Sequence, residues 1–366
     1  MEARFALASH EDQRLLRRAG FTKVSEVLKL PAADLSRELG VDLSRSLALL
    51  QELRGSADSQ ASSSPPSSSC SSQHLQLPPA AKNCTELIRA LASVRHITTC
   101  CMTLDNLLGG GVPRSSVTEI CGAPGAGKTQ ISMQLAVACA IPEPFGGVAG
   151  KTLYLDTEGS FSPQRVFDMA EATSRHLHSL GGELTTEQIM NSIIVARAHD
   201  LGEMLAFAHS LVVFLKQDPS IKLVVIDSIA HHFRHDFADF NAKNRTLAKL
   251  AALLNQVSRE FDVAIVVINH MTTTTTKSNE GGLHPALGET WFHAVTNRLV
   301  LQKHQELVTW EHASIPEAVL VPIRTCELVK SSSLCCGVGE FVVVKIGIRQ
   351  RPRAAIALAE AKRVRI

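Results

Sequence analysis

The sequence predicts an α/β protein with a mostly parallel sheet, preceded by a small helical domain. The first indication is a series of five apolar runs that alternate with longer helical patterns. Runs of Val, Ile and Leu are typical of strands in a parallel sheet that helices cover on both faces. The second indication is a serine-rich stretch that separates these runs from a shorter helical part. The expected strands are Val117–Cys121, Thr152–Asp156, Ile193–Ala196, Leu223–Asp227 and Val263–Ile268.

Length, charge and cysteine spacing exclude several classes of protein. The 366 residues suffice for two domains, and no apolar stretch approaches the roughly 20 residues that span a membrane, so we expect no membrane partner. The formal net charge is +2, so any polyanion must bind to local clusters. The nine cysteines lack a C-x-x-C spacing, and we expect them to be buried and reduced. No secretory signal pattern is present, which favours a nuclear or cytoplasmic protein.

Residues 1–54 are expected to form the helical domain. Leucine and valine recur at helical spacing in short segments that stop before Gly20, Pro31 and Gly40. Basic residues stand beside Gly20, an arrangement that in helix-hairpin-helix modules directs backbone N–H groups at a phosphate. The pattern fits equally well a helical adaptor that packs on the rest of the protein.

The boundaries of the larger domain follow from composition. Residues 55–80 are rich in serine and proline and are expected to be a flexible linker, which leaves 81–350 for the α/β core. Within the core, Phe341–Ile346 is a plausible late strand, whereas the sequence predicts no fold for about 305–336. Residues 351–366 are a basic tail, which fits a nuclear import signal and a solvated end equally well.

The strongest chemical signal is the glycine-rich segment Gly122–Thr129, GAPGAGKT. It fits G-x-x-x-x-G-K-[ST] and stands between an expected strand and a helix that begins near Gln130, as a phosphate-binding loop must. The expected ligand is ATP with Mg²⁺. Lys128 would reach the β and γ phosphates as a catalytic residue, and the Thr129 hydroxyl would bind the metal. The predicted nucleotide-binding residues of this segment are Gly122, Ala123, Pro124, Gly125, Ala126, Gly127, Lys128, Thr129 and Gln130.

Two carboxylates at expected strand ends extend the site. Asp227 ends an apolar strand in the Walker-B form, which holds magnesium, usually through water. Glu158 lies in Asp156–Gly159, a D-x-x-G segment that GTPases also contain. No guanine-specificity motif follows, however, since Thr276–Asn279 ends in Asn where Asp is needed. We therefore expect an ATPase in which Glu158 polarises the attacking water.

Two segments after strand ends are candidates for binding DNA. His231–Phe237 mixes basic groups with aromatic rings, a combination that tracks a nucleic-acid backbone and stacks on bases. Met271–Lys277 is rich in hydroxyl groups, which bind phosphates without reading sequence. An ordinary surface loop is the alternative for each. The predicted DNA-binding residues are Arg234, His235, Arg245, Thr272, Thr273 and Lys277.

In this order and spacing, the motifs resemble those of the RecA-family recombinases of eukaryotes and archaea, in particular the paralogues of the strand-exchange recombinase. The resemblance covers the chain to about Leu301 and implies a RecA-like ATPase core. It also implies that Glu158 is the catalytic glutamate, that Arg165 packs on adenine, and that the two segments above are the DNA-binding loops. The stretches that carry it are Glu119–Pro124, Ile141–Gly150, Asp156–Phe161, Phe233–Asp236 and Pro285–Glu289.

The chain departs from the family pattern at the end of the fifth expected strand. The family has Asn-Gln there, with a glutamine that senses the γ-phosphate, whereas this chain has Asn269-His270. A histidine at this position still donates a hydrogen bond, but the reach and charge of its side chain differ from those of glutamine. The linker also lacks the F-x-x-A segment by which the main recombinase docks onto its neighbour. These departures favour a paralogue over a recombinase that exchanges strands alone.

What the resemblance implies is a DNA repair protein of homologous recombination that binds single-stranded and branched DNA, assists recombinase loading and takes part in junction processing. The implied partners are the main recombinase and the paralogues B, D and the X-ray cross-complementing members, as a hetero-oligomer. An ATP-bound scaffold with little hydrolysis is the alternative. Partner assembly and DNA-stimulated hydrolysis distinguish the two.

Overall fold

The computed structural model describes residues 10–21, 27, 30, 32–42, 45–50, 53, 83–86, 95–235, 240–273, 283–312 and 315–352. The chain divides into two compact units, Met1–Ala81 and Lys82–Ile366. The expected linker, 55–80, lies outside the described residues, as does the expected tail beyond its first two positions.

The first unit is helical over the residues described. Helix α1 (His10–Arg18) and helix α2 (Ala32–Leu39) are followed by helical residues at 45–50. Gly20 and Gly40 follow the two helices in the left-handed conformation, with φ of +87° and +63°, and so end them as the sequence predicts. The small core of this unit contains Leu16, Val27, Leu35, Leu49, Leu50 and Leu53.

The second unit alternates strands with helices as far as Asn297 and then continues as antiparallel strands. Its strands are β1 (His96–Ile97), β2 (Val112–Pro113), β3 (Val117–Gly122), β4 (Lys151–Asp156), β5 (Ile193–Arg197), β6 (Ile221–Asp227), β7 (Ala264–Thr273), β8 (Leu283–Pro285), β9 (Asn297–His312), β10 (Ile315–Lys330), β11 (Gly337–Val344) and β12 (Gly347–Gln350). Its helices are α3 (Met102–Leu107), α4 (Lys128–Cys139), α5 (Pro163–Ser179), α6 (Thr186–Asn191), α7 (Leu201–Gln217), α8 (Ala230–His235), α9 (Phe240–Glu260) and α10 (Gly288–Ala294). None of the described helices has the length and apolarity to cross a membrane.

A ten-stranded sheet runs through this unit in the order β12-β11-β10-β9-β3-β7-β6-β4-β5, with β8 paired to β7. The consecutive strands from β9 to β5 in that order are parallel, and β10, β11 and β12 are antiparallel. All five strands expected from the sequence are present. The predicted α/β class with a large, mostly parallel sheet is confirmed.

The central parallel strands β3, β7, β6 and β4 are buried on both faces because each face has its own helices. Alternate residues of a strand point to opposite faces, so Val225 and Val224 of β6 enter two different cores. Val225 belongs to the core that contains Ile131 of α4 and Met169 of α5. Val224 belongs to the core that contains Leu211 of α7, together with residues of α9 and α10. This sandwich explains why the central strands are rich in Val, Ile and Leu.

The region for which the sequence predicts no fold is a long hairpin. Strands β9 and β10 pair from Arg298 and Lys330 at one end to His312 and Ile315 at the other. The expected late strand, Phe341–Ile346, ends earlier than predicted, since the structure has a turn after Val344. Arg351, the first residue of the expected tail, is buried and forms ion pairs with Glu306 and Glu340 at 3.1 and 2.8 Å.

The expectation that the cysteines are buried is wrong for three of them. Cys84, Cys335 and Cys336 are exposed, and the last two lie in the turn between β10 and β11, where the chain reverses away from the core. Buried cysteines lie in the core strands and helices, as at Cys121 and Cys139. Burial raises the pKa of the Cys139 thiol to about 12, which keeps this group protonated.

A buried ion pair joins the central strands. Glu119 of β3 is fully buried and accepts from the guanidinium Nε of Arg298 in β9, and it also accepts from the Asn269 amide of β7 at 2.6 Å. The Arg298 guanidinium lies 4.5 Å from the ring centroid of Phe292. Because a buried charge costs several kcal/mol unless it is paired, this group fixes the three strands next to the glycine-rich loop.

Removal of one partner of this pair should therefore destabilise the fold strongly. We expect Glu119→Ala to lower the free energy of unfolding by about 3–5 kcal/mol, because Arg298 then remains as an unpaired buried charge. The double variant Glu119→Leu/Arg298→Met removes both charges and should be closer to the wild type. Urea unfolding of the three proteins measures the difference. Equal losses in the single and double variants would contradict the account.

Candidate active site

The carboxyl ends of four neighbouring strands define the site. Strands β3, β7, β6 and β4 are parallel, so their last residues reach the same edge of the sheet. The glycine-rich loop follows β3, His270 lies in β7, Asp227 ends β6, and Glu158 follows β4. Residues that are up to 148 positions apart in the chain, from Gly122 to His270, thereby meet at one edge.

The loop after β3 has the backbone that its glycines permit. Gly125 and Gly127 have φ of +76° and +108°, in the left-handed region that favours glycine. A Cβ on Gly122 would lie 2.8 Å from the Leu301 carbonyl oxygen, so only glycine fits there. The Lys128 ammonium donates to the carbonyls of Gly122 and Ala123 at 2.8 and 3.1 Å. The lysine charge is thus held inside the curl of the loop.

A chain of buried hydrogen bonds ties the loop helix to β6. The Tyr154 hydroxyl donates to Asp227 Oδ2 at 2.8 Å and lies 2.9 Å from Ser132 Oγ of α4. Asp227 also accepts a hydrogen bond from the Thr129 side chain. Burial raises the pKa of Asp227, and the hydrogen bonds from Tyr154 and Thr129 oppose that rise. The two predicted magnesium ligands, Thr129 and Asp227, are therefore in contact.

Asp156 shapes the loop that carries Glu158, a role that the sequence analysis missed. The side-chain carboxylate of Asp156 accepts hydrogen bonds from four backbone N–H groups. The donors are Glu158, Gly159, Ser160 and Phe161, at 3.2, 2.8, 3.1 and 3.3 Å. Four donors on one buried carboxylate fix the path of the chain after β4. The sequence signal was present, as an aspartate that ends a strand three residues before a glycine.

Glu158 lies in a hydrogen-bonded group with two residues from other strands. His270 Nε2 is 2.6 Å from Glu158 Oε1 and 2.9 Å from Ser228 Oγ, and the Ser228 hydroxyl donates to the same Oε1. His231 Nδ1 is 3.9 Å from this oxygen. The hydrogen bond with His270, followed by that with Ser228, lowers the pKa of Glu158 to about 2. Ser228, which follows Asp227 directly, was not predicted from the sequence.

Arg165 is anchored next to the loop helix. Its Nε donates to Gln130 Oε1 at 2.7 Å, and its two terminal nitrogens donate to the carbonyls of Lys345 and Val344. Desolvation by burial lowers the pKa of the guanidinium. The three bonds fix the plane of this side chain at the start of α5, beside Gln130.

The predicted DNA-binding residues are only partly described. Arg245 is exposed on α9, and Thr272 pairs across the ladder with His284 of β8. Arg234 and His235 end α8, and Thr273 ends β7, with only their backbone described; Lys277 lies outside the described residues. The residue before α8, Ile229, donates its N–H to Ile268 O of β7 at 3.0 Å. Both candidate segments therefore leave the sheet at the edge that carries Glu158.

The lowered pKa of Glu158 predicts how stability depends on pH. Because the folded-state pKa lies below that of a free glutamate, about 4.3, the carboxylate stabilises the fold fully above that pH. The contribution disappears as pH falls toward about 2. We expect the difference in unfolding free energy between wild type and Glu158→Gln to be constant above pH 5 and to shrink below pH 4, as measured by urea titrations. A difference that grows on acidification would contradict this.

Comparison with known proteins agrees with this geometry. The family model described as Rad51 matches residues 91–312. DNA repair protein RAD51 homolog 3 of Cricetulus griseus is 38% identical over 300 residues, which cover 79% of this chain and 80% of the relative. The protein of the same name from Dictyostelium discoideum is 37% identical over 273 residues, covering 72% of this chain and 68% of the relative. The resemblance to recombinase paralogues is confirmed, and the chain belongs to the Rad51 family.

Proposed function

We propose that this protein binds and slowly hydrolyses ATP in a DNA-dependent manner and acts in homologous recombination and double-strand break repair. The observation that carries the proposal is the meeting of Lys128, Thr129, Asp227 and Glu158 at one strand edge. Membership of the Rad51 family and similarity to proteins named as DNA repair proteins support it.

The residues at the edge fit ATP and Mg²⁺. Lys128 holds a buried ammonium inside the loop, where it is ready to exchange carbonyl partners for phosphate oxygens. Thr129 would bind the metal directly and Asp227 through water. The described residues contain no group of three His, Cys, Asp or Glu that would hold a metal alone. Mg²⁺ is normally bound by one or two protein groups and the phosphates, so the arrangement suits it.

Glu158 is the group that would polarise the attacking water. Its low pKa keeps it ionised at neutral pH, and Asp156 fixes the backbone that carries it. Both side-chain hydrogen bonds end on Oε1, so we assign the water to Oε2. The general base must lie within hydrogen-bond reach of the water. The hydrogen bonds from His270 and Ser228 hold the Glu158 carboxylate in one orientation.

Single-stranded and branched DNA are the proposed nucleic-acid ligands. The segments that contain Arg234, His235, Thr272, Thr273 and Lys277 begin at the edge that carries Glu158, and Arg245 is exposed on α9. Basic and hydroxyl groups on such segments bind the phosphate backbone without reading sequence. The helical first unit, whose helices are followed by left-handed glycines, is proposed to make a second contact with the phosphate backbone of DNA.

Partner proteins are proposed to pair with the edge strand β5. Within the described residues β5 pairs only with β4, and its Ile194 and Val195 are exposed, as are Val213 and Phe214 of α7. An apolar sheet edge is a template for a strand from another chain. The proposed partners are the main recombinase and its paralogues B, D and the X-ray cross-complementing members, in the nucleus.

A second candidate function is that of an ATP-bound scaffold with little turnover. The observation that favours it is the engagement of Glu158 by His270 and Ser228, since a carboxylate held in this way polarises water less effectively. In this function the nucleotide stabilises the packing of neighbouring subunits, and partner assembly is the main activity.

The hydrolysis assay distinguishes these two functions. We expect the purified protein to hydrolyse ATP slowly and to do so faster with single-stranded DNA. Glu158→Gln should lower turnover by about 10²–10⁴-fold without loss of ATP binding, because it removes a general base, whereas Lys128→Ala should weaken ATP binding itself. Phosphate release and filter binding of labelled ATP measure the two effects. Tight ATP binding with equal turnover in wild type and Glu158→Gln would favour the scaffold.

A further inference from the structure

A cavity of about 900 Å³ lies at the C-terminal half of α5, away from the glycine-rich loop. Its lining comes from the last turns of α5, the segment after α4, the residues after β1, and the turn that leads into β12. No residue of Gly122–Gln130 is part of the lining that the structure describes. At a rise of 1.5 Å per residue, His176 in the lining lies about 16 Å along α5 from Arg165. The cavity is therefore separate from the site that we propose for ATP.

Much of the lining is apolar. Leu177 of α5 and Ile346 before β12 are buried, and the ring of Phe145 is half-buried. Phe145 also packs against the chain after α5, since a Cβ on Gly182 would lie 3.1 Å from two of its ring atoms. Pockets that hold small organic ligands have volumes of about 300–1,000 Å³, largely apolar linings and a few polar groups. The volume and the lining both suit a small molecule with an apolar body.

Arg349 of β12 brings a positive charge to this lining. Its Nη1 donates to the carbonyl of Ile348 at 2.7 Å, and desolvation lowers the pKa of the guanidinium. The ionisable neighbours that favour its charge are two thiols, Cys100 and Cys101. Burial raises the pKa of Cys100 to about 11, so this thiol is neutral at pH 7. Within the described ranges, Arg349 forms no ion pair with a carboxylate.

A desolvated charge without a counter-ion is costly, and an anion bound beside it removes that cost. The guanidinium presents N–H donors in a fixed fork that matches the oxygens of a carboxylate or a phosphate. Arg349 uses one of its terminal nitrogens for a neighbouring carbonyl. The rest of the fork is available to a ligand.

The other charged groups of the lining do not oppose an anion. Arg175 and His176 belong to the last turns of α5, and Arg175 pairs with Glu171 of the same helix at 3.0 Å. Cations at this position offset the negative end of the helix dipole. As far as the lining is described, it contains no Asp or Glu. The cavity thus combines apolar surface with positive charge alone.

We propose that this cavity binds a small organic anion, whose acidic group contacts Arg349 and whose apolar ring or chain contacts Phe145, Leu177 and Ile346. The ligand class is an organic carboxylate, sulfonate or phosphate with a hydrophobic body. The proposal is independent of the ATP binding proposed above, because the two sites share no lining residue among those described.

Three probe molecules separate the contribution of the charge from that of the apolar body. Naphthalene-1-sulfonate has both, naphthalene-1-methanol lacks the charge, and methanesulfonate lacks the rings. In equilibrium dialysis with the full chain, we expect one naphthalene-1-sulfonate per chain and binding at least about tenfold weaker for the other two. Saturating ATP·Mg²⁺ should leave the binding unchanged. Displacement of the sulfonate by ATP, or similar affinities for all three probes, would overturn the proposal.

The role of Arg349 is tested by Arg349→Leu, which removes the charge, and by Arg349→Lys, which keeps it. Loss of a charged hydrogen bond should weaken naphthalene-1-sulfonate binding by about tenfold or more in Arg349→Leu. Binding of naphthalene-1-methanol should not change, and Arg349→Lys should be intermediate. Arg259→Leu, at an exposed arginine of α9, is the matched control and should bind as the wild type does. Equal sulfonate binding in wild type and Arg349→Leu would overturn the charge contact.

The apolar contact has its own variant, Phe145→Ala, with Phe145→Leu as the conservative control. Loss of the ring should weaken both naphthalene probes by roughly tenfold, because less apolar surface is buried, while the preference for the sulfonate over the alcohol remains. Phe145→Leu should recover most of the affinity. Urea unfolding of each variant confirms that the folded protein is the species measured. Wild-type affinity for both probes in Phe145→Ala would place the rings elsewhere and overturn the proposal.

Discussion

The hydrogen bonds that join Glu158, Ser228 and His270 are the interaction on which the organisation of the site depends. His270 lies in β7, Ser228 directly follows β6, and Glu158 lies two residues after β4. They meet because parallel strands end at one edge, and the edge is held in register by the buried Glu119–Arg298 pair and the Asp227–Tyr154 hydrogen bond. Without that register the Glu158 carboxylate would lie away from the loop that we propose for the phosphates.

The same group offers a route by which the proposed nucleotide and DNA sites would be coupled. Ser228 leads into α8, and His270 leads into the end of β7, so the two segments proposed for DNA begin at residues that hydrogen-bond Glu158. A ligand that moved either segment would change the hydrogen bonds that Ser228 and His270 make with the Glu158 carboxylate. Conversely, a γ-phosphate that drew His270 away from Glu158 would move β7. Such reciprocity between two sites is what allosteric coupling requires.

Much of the fold was predictable because its signals are local. The glycine-rich loop is a contiguous motif, and doubly covered strands such as β6 and β7 carry runs of Val, Ile and Leu that are visible in the sequence. The hairpin was not predictable, since β9 and β10 mix exposed and buried positions and depend on pairing with each other. The contacts of Ser228 with His270, 42 residues apart, and of Arg165 with Val344, 179 apart, have no local signal at all.

The measurement that tests the central claim most directly is the turnover of His270→Gln. If His270 restrains Glu158, a glutamine, whose more flexible side chain holds its hydrogen-bond donor less firmly, should loosen the carboxylate and raise the rate of ATP hydrolysis. A change of one charged hydrogen bond corresponds to about tenfold, with ATP affinity unchanged. His270→Ala, which removes the side chain, serves as the matched control. A rate that falls in His270→Gln while ATP still binds would contradict the account and would make the histidine itself part of the catalytic machinery.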